Sequence, residues 1–380
     1  MKRIQALFID ALRAALNGQS PRGEWDQPLS ADTATALYRL AINHDLAQVV
    51  ADVLIASGTE LGDELASALQ KQRLLSVYRT GQLGFALSQI RSCLDGAGVA
   101  YIPLKGSVIR PYYPNPNMRT SCDVDVLVRE SELDAAITAL ESAGYRRGNK
   151  NYHDVSMFSP EGIHLELHFN IQENMDNLDA VLKDAWDHAV PDEGSGYKFS
   201  NEFFAFHIFA HMAYHFLAGG CGIRPLADIW IMEHKMGVTC ADAKTLLEKA
   251  GIYRFAQHMS ALATQCFSTD EAVDDPALEY IFKGGIYGSL QNKVTVQKEA
   301  TGSTLSYALK RIFLPYKTMV SVYPVLKKAP YLLPFYHVAR WLRILFGGRA
   351  RHAVSELTHT IDVSEKEMAQ VKALRDQLGI

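Results

Sequence analysis

Cysteine is scarce in this chain of 380 residues, with five scattered residues and no C-x-x-C pair. Structural zinc sites and disulfide frameworks need cysteines at short or paired spacings, so neither is predicted. Long hydrophobic runs are missing too, because no stretch approaches the roughly 18 uninterrupted apolar residues of a membrane-spanning helix. The sequence therefore predicts no transmembrane segment and favours a reducing, cytoplasmic location.

The N-terminus begins basic and apolar, as a signal peptide does, with the letters MKRIQALFIDALRAAL. Asp10 and Arg13 interrupt the apolar stretch, so an amphipathic helix is the better interpretation. The net charge of −4 gives the chain no general affinity for nucleic acid. With 48% hydrophobic and 21% charged residues, the composition is that of a globular protein of two or three domains, at about 150 residues each.

The most informative stretch runs from Tyr101 to Val128. It opens with a short apolar run that predicts a buried strand and ends at Lys105-Gly106-Ser107. Three prolines then limit the next segment to about one or two helical turns. A second apolar run begins with Asp123-Val124-Asp125. Because alternate residues of a strand share a face, we expect the two carboxylates to point the same way.

Two carboxylates side by side repel each other, and a divalent cation between them removes the conflict. Mg²⁺ takes one or two protein carboxylates together with phosphate oxygens of a substrate. The Gly106-Ser107 corner upstream offers backbone N–H groups and a hydroxyl to a phosphate. Asp123 and Asp125 therefore predict one half of a metal–nucleotide site, and the corner predicts the other half.

A third carboxylate, Glu166, lies in the strictly alternating segment at residues 163–171. Apolar residues occupy one face of this predicted strand, and Glu166 shares the other face with His164 and His168. Taken alone, that polar face fits an edge strand exposed to solvent. Together with the glycine corner and the aspartate pair, it fits a third catalytic acid.

These motifs resemble the core of the DNA polymerase β-type nucleotidyltransferase superfamily. A fuller set of residues is similar to a bacterial branch of poorly characterised nucleotidyltransferases: Leu104-Lys105-Gly106, Tyr113-Pro114, Arg119 and Asp123 to Val128. Glu166 stands where the superfamily has its third acidic residue, and His168 matches the Glu-x-His pattern of the branch. Two departures are a slightly longer spacer at residues 108–122 and Lys105, where many members have another residue type.

The resemblance implies an α+β fold, with a small mixed-sheet core flanked by helical regions. It implies an enzyme that moves an NMP from an NTP, foremost ATP, to an acceptor hydroxyl and releases pyrophosphate. Mg²⁺, or Mn²⁺ in its place, would be held by the three implied catalytic residues, Asp123, Asp125 and Glu166. The residues implied for nucleotide binding are Lys105, Gly106, Ser107, Arg119, His168 and Arg224.

The acceptor stays open among a small molecule, a peptide or protein, and RNA, because no motif encodes an acceptor pocket. Two other functions stay open as well. One is a nucleotide-binding regulator without transfer activity, and the other is an adaptor that associates with RNA or a membrane.

Helical regions are predicted around the core. We expect a helical N-terminal region at 1–98, an α/β core at 99–198, a helical lobe at 199–300 and a basic, aromatic helical region at 301–380. The first region includes a helix at 34–55, with Ser30 or Asp32 as its N-cap. Within the core, Ser131 is predicted to cap a helix at 132–142, and Gly148-Asn149 is predicted to form a turn between two strands.

The helical lobe contains His207, His211 and His215 at i, i+4 spacing. This spacing can bind zinc, but no glutamate lies beside the first histidine, and buried or hydrogen-bonded histidines are the commoner outcome. The glycine-rich loop that follows, with Arg224 and Asp228, resembles the helical lobe of the bacterial branch. The resemblance implies that Arg224 contacts the phosphates of the nucleotide. An ion pair between Arg224 and Asp228 on one helix is the alternative.

Residues 300–355 contain lysines, arginines and interleaved aromatic residues, and no Asp or Glu. The stretch is a candidate surface for an anionic partner: RNA, an acidic peptide or membrane headgroups. The alternative is that the aromatic residues are core and the cations form a solvated face.

Overall fold

The computed structural model describes residues 2–285, 313–346 and 365–380. Over these residues the predicted α+β fold is confirmed, with a five-stranded mixed sheet surrounded by helices. The helices are α1 (Arg3–Leu16), α2 (Ala31–Asn43), α3 (Ala47–Ala56), α4 (Asp63–Gly96), α5 (Gly106–Ile109), α6 (Leu133–Ser142), α7 (Asp176–Leu182), α8 (Asn201–Leu217), α9 (Arg224–His234), α10 (Lys244–Lys249), α11 (Tyr253–Ser268), α12 (Pro276–Gly284), α13 (Tyr316–Val322), α14 (Leu333–Phe346) and α15 (Glu365–Leu378). The strands are β1 (Tyr101–Pro103), β2 (Asp123–Val128), β3 (Arg146–Lys150), β4 (Asp154–Phe158), β5 (His164–His168), β6 (Ala189–Pro191) and β7 (Tyr197–Phe199).

The segment predicted as one helix at 34–55 forms two helices, α2 and α3. Ser30 caps α2 by accepting a hydrogen bond from the backbone N–H of Thr33 at 3.3 Å. Between the helices, Asp45 has a φ of 55°, a left-handed conformation that cannot continue a right-handed helix. The chain turns at this residue, which leaves the Asp45 carboxylate beside Arg224.

The central sheet has the strand order β1-β2-β5-β4-β3. Strands β2 and β5 are parallel, and the other neighbouring pairs are antiparallel. One face packs on α4 and α6 through a hydrophobic core that includes Val126, Leu167 and Ile90, each fully buried. The opposite face has the polar residues of β2 and β5, and three of them, Asp123, Asp125 and Glu166, line a pocket together with residues of α8.

Strand register places the acidic residues side by side. On the parallel pair, Asp123 lies opposite His164 and Asp125 lies opposite Glu166. Because side chains alternate across a strand, all four point to the pocket face, whereas Val124 and Leu165 between them point into the core.

Two local predictions within the core are wrong. Gly148 and Asn149 lie inside β3, and the chain reverses after it, at residues 151–153. A Cβ at Gly148 would lie 3.0 Å from the Phe158 ring on β4, so this glycine permits a close approach between strands. Ser131 lies in a 3-10 turn, Glu130–Glu132, and does not cap α6, which begins at Leu133 without a side-chain cap.

The N-terminal helices and the helices α8 to α12 share one hydrophobic core. Phe8 of α1 packs against Phe282 of α12 with ring centroids 6.2 Å apart, and α8 buries a row of phenylalanines in the same core. The last helix, α15, joins this core through Leu374 and Leu378. Among the helices that the structure describes, none combines the length and the apolar character needed to cross a bilayer.

Replacing Ile90 with alanine tests how α4 packs on the sheet. Ile90→Ala removes buried methyl groups and leaves a cavity, so the free energy of unfolding should fall by about 2–5 kcal/mol in urea denaturation. Phe85 lies on the same helix but is 57% exposed, and Phe85→Ala should change that free energy by about 0.5 kcal/mol or less. Equal losses in the two variants would contradict this packing.

Candidate active site

Lys105 connects β1 to α5 in a backbone conformation that lysine rarely adopts. Its φ is 41° and its ψ is −107°, so the surrounding structure must hold it there. The backbone N–H of Leu104 donates to the carbonyl oxygen of Asp125 at 3.0 Å, which ties this corner to β2. The Lys105 ammonium consequently lies 3.7 Å from Oδ1 of Asp125.

Gly106 begins α5 directly beside the guanidinium of Arg119. A Cβ at this position would overlap Nη1 of Arg119, so the close approach requires glycine. Ser107 follows within α5, and both residues line the pocket that the carboxylates face. The corner therefore presents Lys105, Gly106, Ser107 and Arg119 to one volume.

The three predicted catalytic acids come together on β2 and β5. Donor atoms of Asp123, His164 and Glu166 all lie within 4.8 Å of one another, and the same holds for Asp125, Glu166 and His168. Glu166 belongs to both groups, so the two sets of donors are adjacent. The sequence reasoning named His164 as a neighbour of Glu166 but did not assign it to a metal.

These two groups could hold metal ions. Carboxylate oxygens and imidazole nitrogens are common ligands of divalent cations. Burial raises the pKa of Asp123, and the charges of Asp125 and Glu166 raise it further, because the concentrated negative charge disfavours ionisation. A cation would relieve that repulsion, so the donor set fits one.

Two cationic side chains offset the carboxylates. Nε2 of His168 lies 3.0 Å from Oδ1 of Asp125 and 3.4 Å from Oε2 of Glu166. Burial lowers the pKa of His168, but the hydrogen bonds and charges of these two acids outweigh burial and raise it to about 9. Burial also acts to raise the pKa of Asp125, but Lys105 and His168 together hold it well below its usual range. The resemblance implied that His168 binds the nucleotide, whereas its Nε2 contacts the carboxylates of Asp125 and Glu166.

A buried ion pair joins the corner to α9. Arg119 donates from Nε and Nη2 to the two carboxylate oxygens of Asp228, at 2.8 and 2.9 Å, and each residue is 6% exposed. Tyr113 donates its hydroxyl to the same carboxylate at 2.7 Å. Burial lowers the pKa of Arg119, but Asp228 outweighs burial and raises it. Nη1, the remaining terminal nitrogen, is the one that lies against Gly106.

Arg224 begins α9 and pairs with Asp45 instead of Asp228. Its Nη1 donates to Oδ2 of Asp45 and, at 3.2 Å, to the carbonyl oxygen of Thr120. The predicted alternative, an Arg224–Asp228 pair within one helix, is therefore wrong, since Asp228 is occupied by Arg119. Sequence reasoning missed Asp45, which lies 179 residues from Arg224 and has no local motif.

On α8, His211 and His215 are hydrogen-bonded and His207 is buried. Buried or hydrogen-bonded histidines were the favoured alternative to zinc. Nδ1 of His211 lies 3.1 Å from Oε1 of Glu173, and Nε2 of His211 lies 3.1 Å from Nε2 of His215. Burial lowers the pKa of His207 to about 3 and that of His215 to about 4, and it lowers the pKa of His211 as well. Glu173, which sequence reasoning missed, follows β5 by five residues.

These side chains enclose a pocket of about 370 Å³. Its lining comes from the corner, β2, β5, α8, α9 and the α2–α3 turn. It includes Asp45, Lys105, Gly106, Ser107, Arg119, Asp123, Asp125, Glu166, His211, His215, Arg224 and Asp228. His168 lies behind the carboxylates, and the other sequence-predicted site residues all reach this volume.

The sequence pattern of a protein family described as "Uncharacterised nucleotidyltransferase" matches residues 30–268. The match covers more than half of the chain and spans all the elements that line the pocket. The chain belongs to this nucleotidyltransferase family. The matched residues include the α2–α3 turn, the central sheet and the helical lobe of the nucleotidyltransferase. A search of curated proteins found no match to this chain.

Two solved structures are similar to parts of the nucleotidyltransferase. A solution structure of the antibiotic-resistance factor ANT(2″)-Ia is 14% identical, with a TM-score of 0.31, and the match covers 49% of this chain and 96% of that one. A crystal structure of ANT(2″)-Ia in complex with adenylyl-2″-tobramycin is 12% identical, with a TM-score of 0.33, and the match covers 46% of this chain and 97% of that one. The family assignment rests on the sequence pattern.

The basic, aromatic stretch of the nucleotidyltransferase falls partly within the described residues. Phe313, Tyr331 and Phe335 are 59%, 80% and 66% exposed, so these aromatic residues are not core, contrary to the alternative for this stretch. Met319 and Leu326 are buried instead. Some members of the stretch lie outside the described residues: Tyr307, Lys310, Arg311, Arg349 and Arg351. An anionic partner for this stretch stays a prediction.

His168 gives the nucleotidyltransferase a pH-dependent stability. Its folded-state pKa is raised above that of a free imidazole, so its stabilising effect is complete below about pH 6.5 and is lost as the pH rises through about 9. In metal-free protein, His168→Gln should lower the free energy of unfolding on the order of 2 kcal/mol at pH 6 and by less at pH 9.5, in urea denaturation. His234→Gln, at an exposed position of α9, is the control. A loss independent of pH would contradict the charged state of His168.

Proposed function

We propose that this nucleotidyltransferase moves an NMP from an NTP, with ATP as the main donor, to an acceptor hydroxyl in a Mg²⁺-dependent reaction that releases pyrophosphate. The observation that carries the proposal is the register of β2 and β5, which places Asp125 opposite Glu166 with Asp123 on the same face. Three carboxylates then share one pocket with a glycine corner and several cations.

Mg²⁺, for which Mn²⁺ could substitute, would be held by Asp123, Asp125 and Glu166. When bound, the metal would polarise the phosphoryl group and stabilise charge on the attacking and leaving oxygens. His168 would keep Asp125 and Glu166 ionised and oriented toward the metal, because its Nε2 contacts both acids. Lys105, with its ammonium 3.7 Å from Oδ1 of Asp125, supplies a second positive charge to this carboxylate.

The corner residues would bind the triphosphate. Gly106 and Ser107 offer backbone N–H groups and a hydroxyl, and Nη1 of Arg119 lies against the corner. Lys105 and Arg119 would stabilise the negative charge that develops on the pyrophosphate leaving group. Arg224, at the start of α9, would reach the same phosphates from the helical lobe.

The acceptor hydroxyl would attack the α-phosphorus in line with the departing pyrophosphate. Its proton must be removed as the new bond forms. Glu166, the third carboxylate of the site, could take this proton, and its side chain is 30% exposed. Acceptors of any of the three open classes, small molecule, peptide or protein, and RNA, can supply the hydroxyl.

Removing a single carboxylate tests the transfer reaction. Asp123→Asn and Asp125→Asn should each lower NMP transfer by more than about 10²-fold while the protein stays folded, because the charge that holds the metal is lost. Transfer is measured by incubating the protein with each α-³²P-labelled NTP, Mg²⁺ and a cell extract, then identifying the labelled species. EDTA should abolish the labelling and added Mg²⁺ should restore it.

Asp134→Asn is the matched control, because Asp134 is exposed on α6, away from the pocket. It should transfer NMP at the wild-type rate. If Asp123→Asn and Asp125→Asn also kept the full rate, the proposed reaction would be wrong.

Arg224 and Asp45 form a second test, directed at the phosphates. Arg224→Gln should weaken Mg-ATP binding by about 10–100-fold in calorimetry, since a charged hydrogen bond contributes about 1.5–3 kcal/mol. Asp45→Asn removes the carboxylate that competes for the same guanidinium, so it should tighten binding. If both variants weakened binding equally, Arg224 would serve only to hold α9 against the α2–α3 turn.

A further inference from the structure

A row of three side chains crosses the helical side of the pocket, and none of them has a part in metal or phosphate binding. Glu173 contacts His211, and His211 contacts His215, with both polar distances at 3.1 Å. His211 and His215 line the same pocket as the carboxylates. Glu173 lies at the far end of the row, with its side chain 15% exposed.

The carboxylate of Glu173 fixes where the protons lie along this row. An ionised carboxylate only accepts hydrogen bonds, so Nδ1 of His211 must carry its proton. Nε2 of His211 then holds a lone pair, and Nε2 of His215 must donate to it. Each neutral imidazole has one proton, so Nδ1 of His215 is left with a lone pair.

The surroundings keep both histidines neutral. Burial lowers the pKa of His211 and of His215, and nearby positive charge lowers each further. Lys105 and Arg224 supply the positive charge, Glu173 contacts His211, and His207 and Tyr214 have rings near those of His211 and His215. The pocket that the two rings line also has five carboxylates: Asp45, Asp123, Asp125, Glu166 and Asp228. No hydrogen bond within the described residues reaches Nδ1 of His215, so its lone pair is free to accept one from a molecule in the pocket.

The lone pair on Nδ1 of His215 can accept a hydrogen bond only from a group that donates one. Phosphate oxygens at neutral pH are hydrogen-bond acceptors and would be repelled, whereas a hydroxyl can donate. The ribose hydroxyls of the NTP can donate as well, but the acceptor hydroxyl is the group whose proton must leave as the bond to phosphorus forms. Glu166 is a poorer base for the acceptor hydroxyl. Both groups of possible metal ligands include this carboxylate, and Nε2 of His168 lies 3.4 Å from its Oε2.

We propose that Glu173, His211 and His215 form a proton relay that deprotonates the acceptor hydroxyl, an inference that rests on the proposed nucleotidyl transfer. As the hydroxyl oxygen bonds to the α-phosphorus, the bond to pyrophosphate breaks and its electron pair leaves with pyrophosphate. The hydroxyl proton passes to Nδ1 of His215. His215 gives its Nε2 proton to Nε2 of His211, and His211 gives its Nδ1 proton to Glu173.

The relay ends with Glu173 neutral and with both imidazoles neutral in their opposite tautomers. When the three proton transfers occur together, no buried imidazolium forms, which suits a site where burial disfavours charged histidine. Glu173 is suited to receive the proton, because burial raises the pKa of this carboxyl.

The tautomers are tested first, on the full-length protein without nucleotide or metal. Long-range ¹H–¹⁵N NMR spectra of ¹⁵N-histidine-labelled protein distinguish protonated from unprotonated ring nitrogens. His211→Gln and His215→Gln assign the two residues by loss of their signals. We expect a proton on Nδ1 of His211 and on Nε2 of His215. A proton on Nδ1 of His215 would overturn the relay, since that tautomer presents a donor suited to phosphate.

The rates are tested second, with α-³²P ATP, Mg²⁺ and cell extract as the acceptor source. His215→Gln and Glu173→Gln should each lower transfer by about 10²–10⁴-fold, the usual contribution of general base catalysis, with Mg-ATP affinity unchanged in calorimetry. The residual rate of His215→Gln should rise about tenfold per pH unit, because the hydroxyl must then ionise unaided. Glu141→Gln, exposed on α6, is the control and should match the wild type.

The outcomes separate the relay from the reaction itself. If wild-type protein transfers NMP, Asp123→Asn does not, and both relay variants transfer at the wild-type rate, the relay fails while the nucleotidyl transfer stands. If wild-type protein transfers nothing to any species, the nucleotidyl transfer fails, and the NMR tautomers alone still report whether the row presents a base.

Discussion

The structure is organised around the cost of holding three carboxylates together in a partly buried pocket. Like charges at this spacing raise one another's pKa, and burial adds to the effect, as it does at Asp123. The chain offsets this with Lys105 and His168, which both lie against Oδ1 of Asp125. Lys105 has an unfavourable backbone conformation, with a positive φ, in the position where its ammonium lies near Asp125. Backbone strain at the corner thus accompanies the placement of this positive charge.

Two ion pairs then hold the sheet and the helices around that cluster. Arg119 and Asp228 form a bidentate pair between the corner and α9, and Arg224 and Asp45 join α9 to the α2–α3 turn. Breaking one partner of a buried pair is costly, because the other charge is left without compensation in a poorly solvated place. The same guanidinium groups that hold the elements together also border the pocket, so binding of an anion and cohesion of the two sides are physically linked.

Local patterns in the sequence were enough to predict the acidic face and the glycine corner. Alternation with a period of two assigns Asp123, Asp125 and Glu166 to one side of their strands, and this requires no knowledge of distant contacts. The failures have a common cause in tertiary contacts. The break at Asp45, the strand conformation of Gly148 and the pairing of Glu173 with His211 all depend on which distant segment lies alongside, and no neighbour in the sequence signals it.

The division of charge across the pocket bears on what the nucleotidyltransferase can accept. The sheet side has carboxylates with their counter-cations, which suits a metal and a triphosphate. The helical side has neutral histidines, because burial and the nearby Lys105 and Arg224 disfavour a further positive charge there. A neutral surface that presents a lone pair recognises a hydrogen-bond donor rather than an anion. In the proposed reaction, the acceptor would therefore be selected by its hydroxyl and by the shape around it.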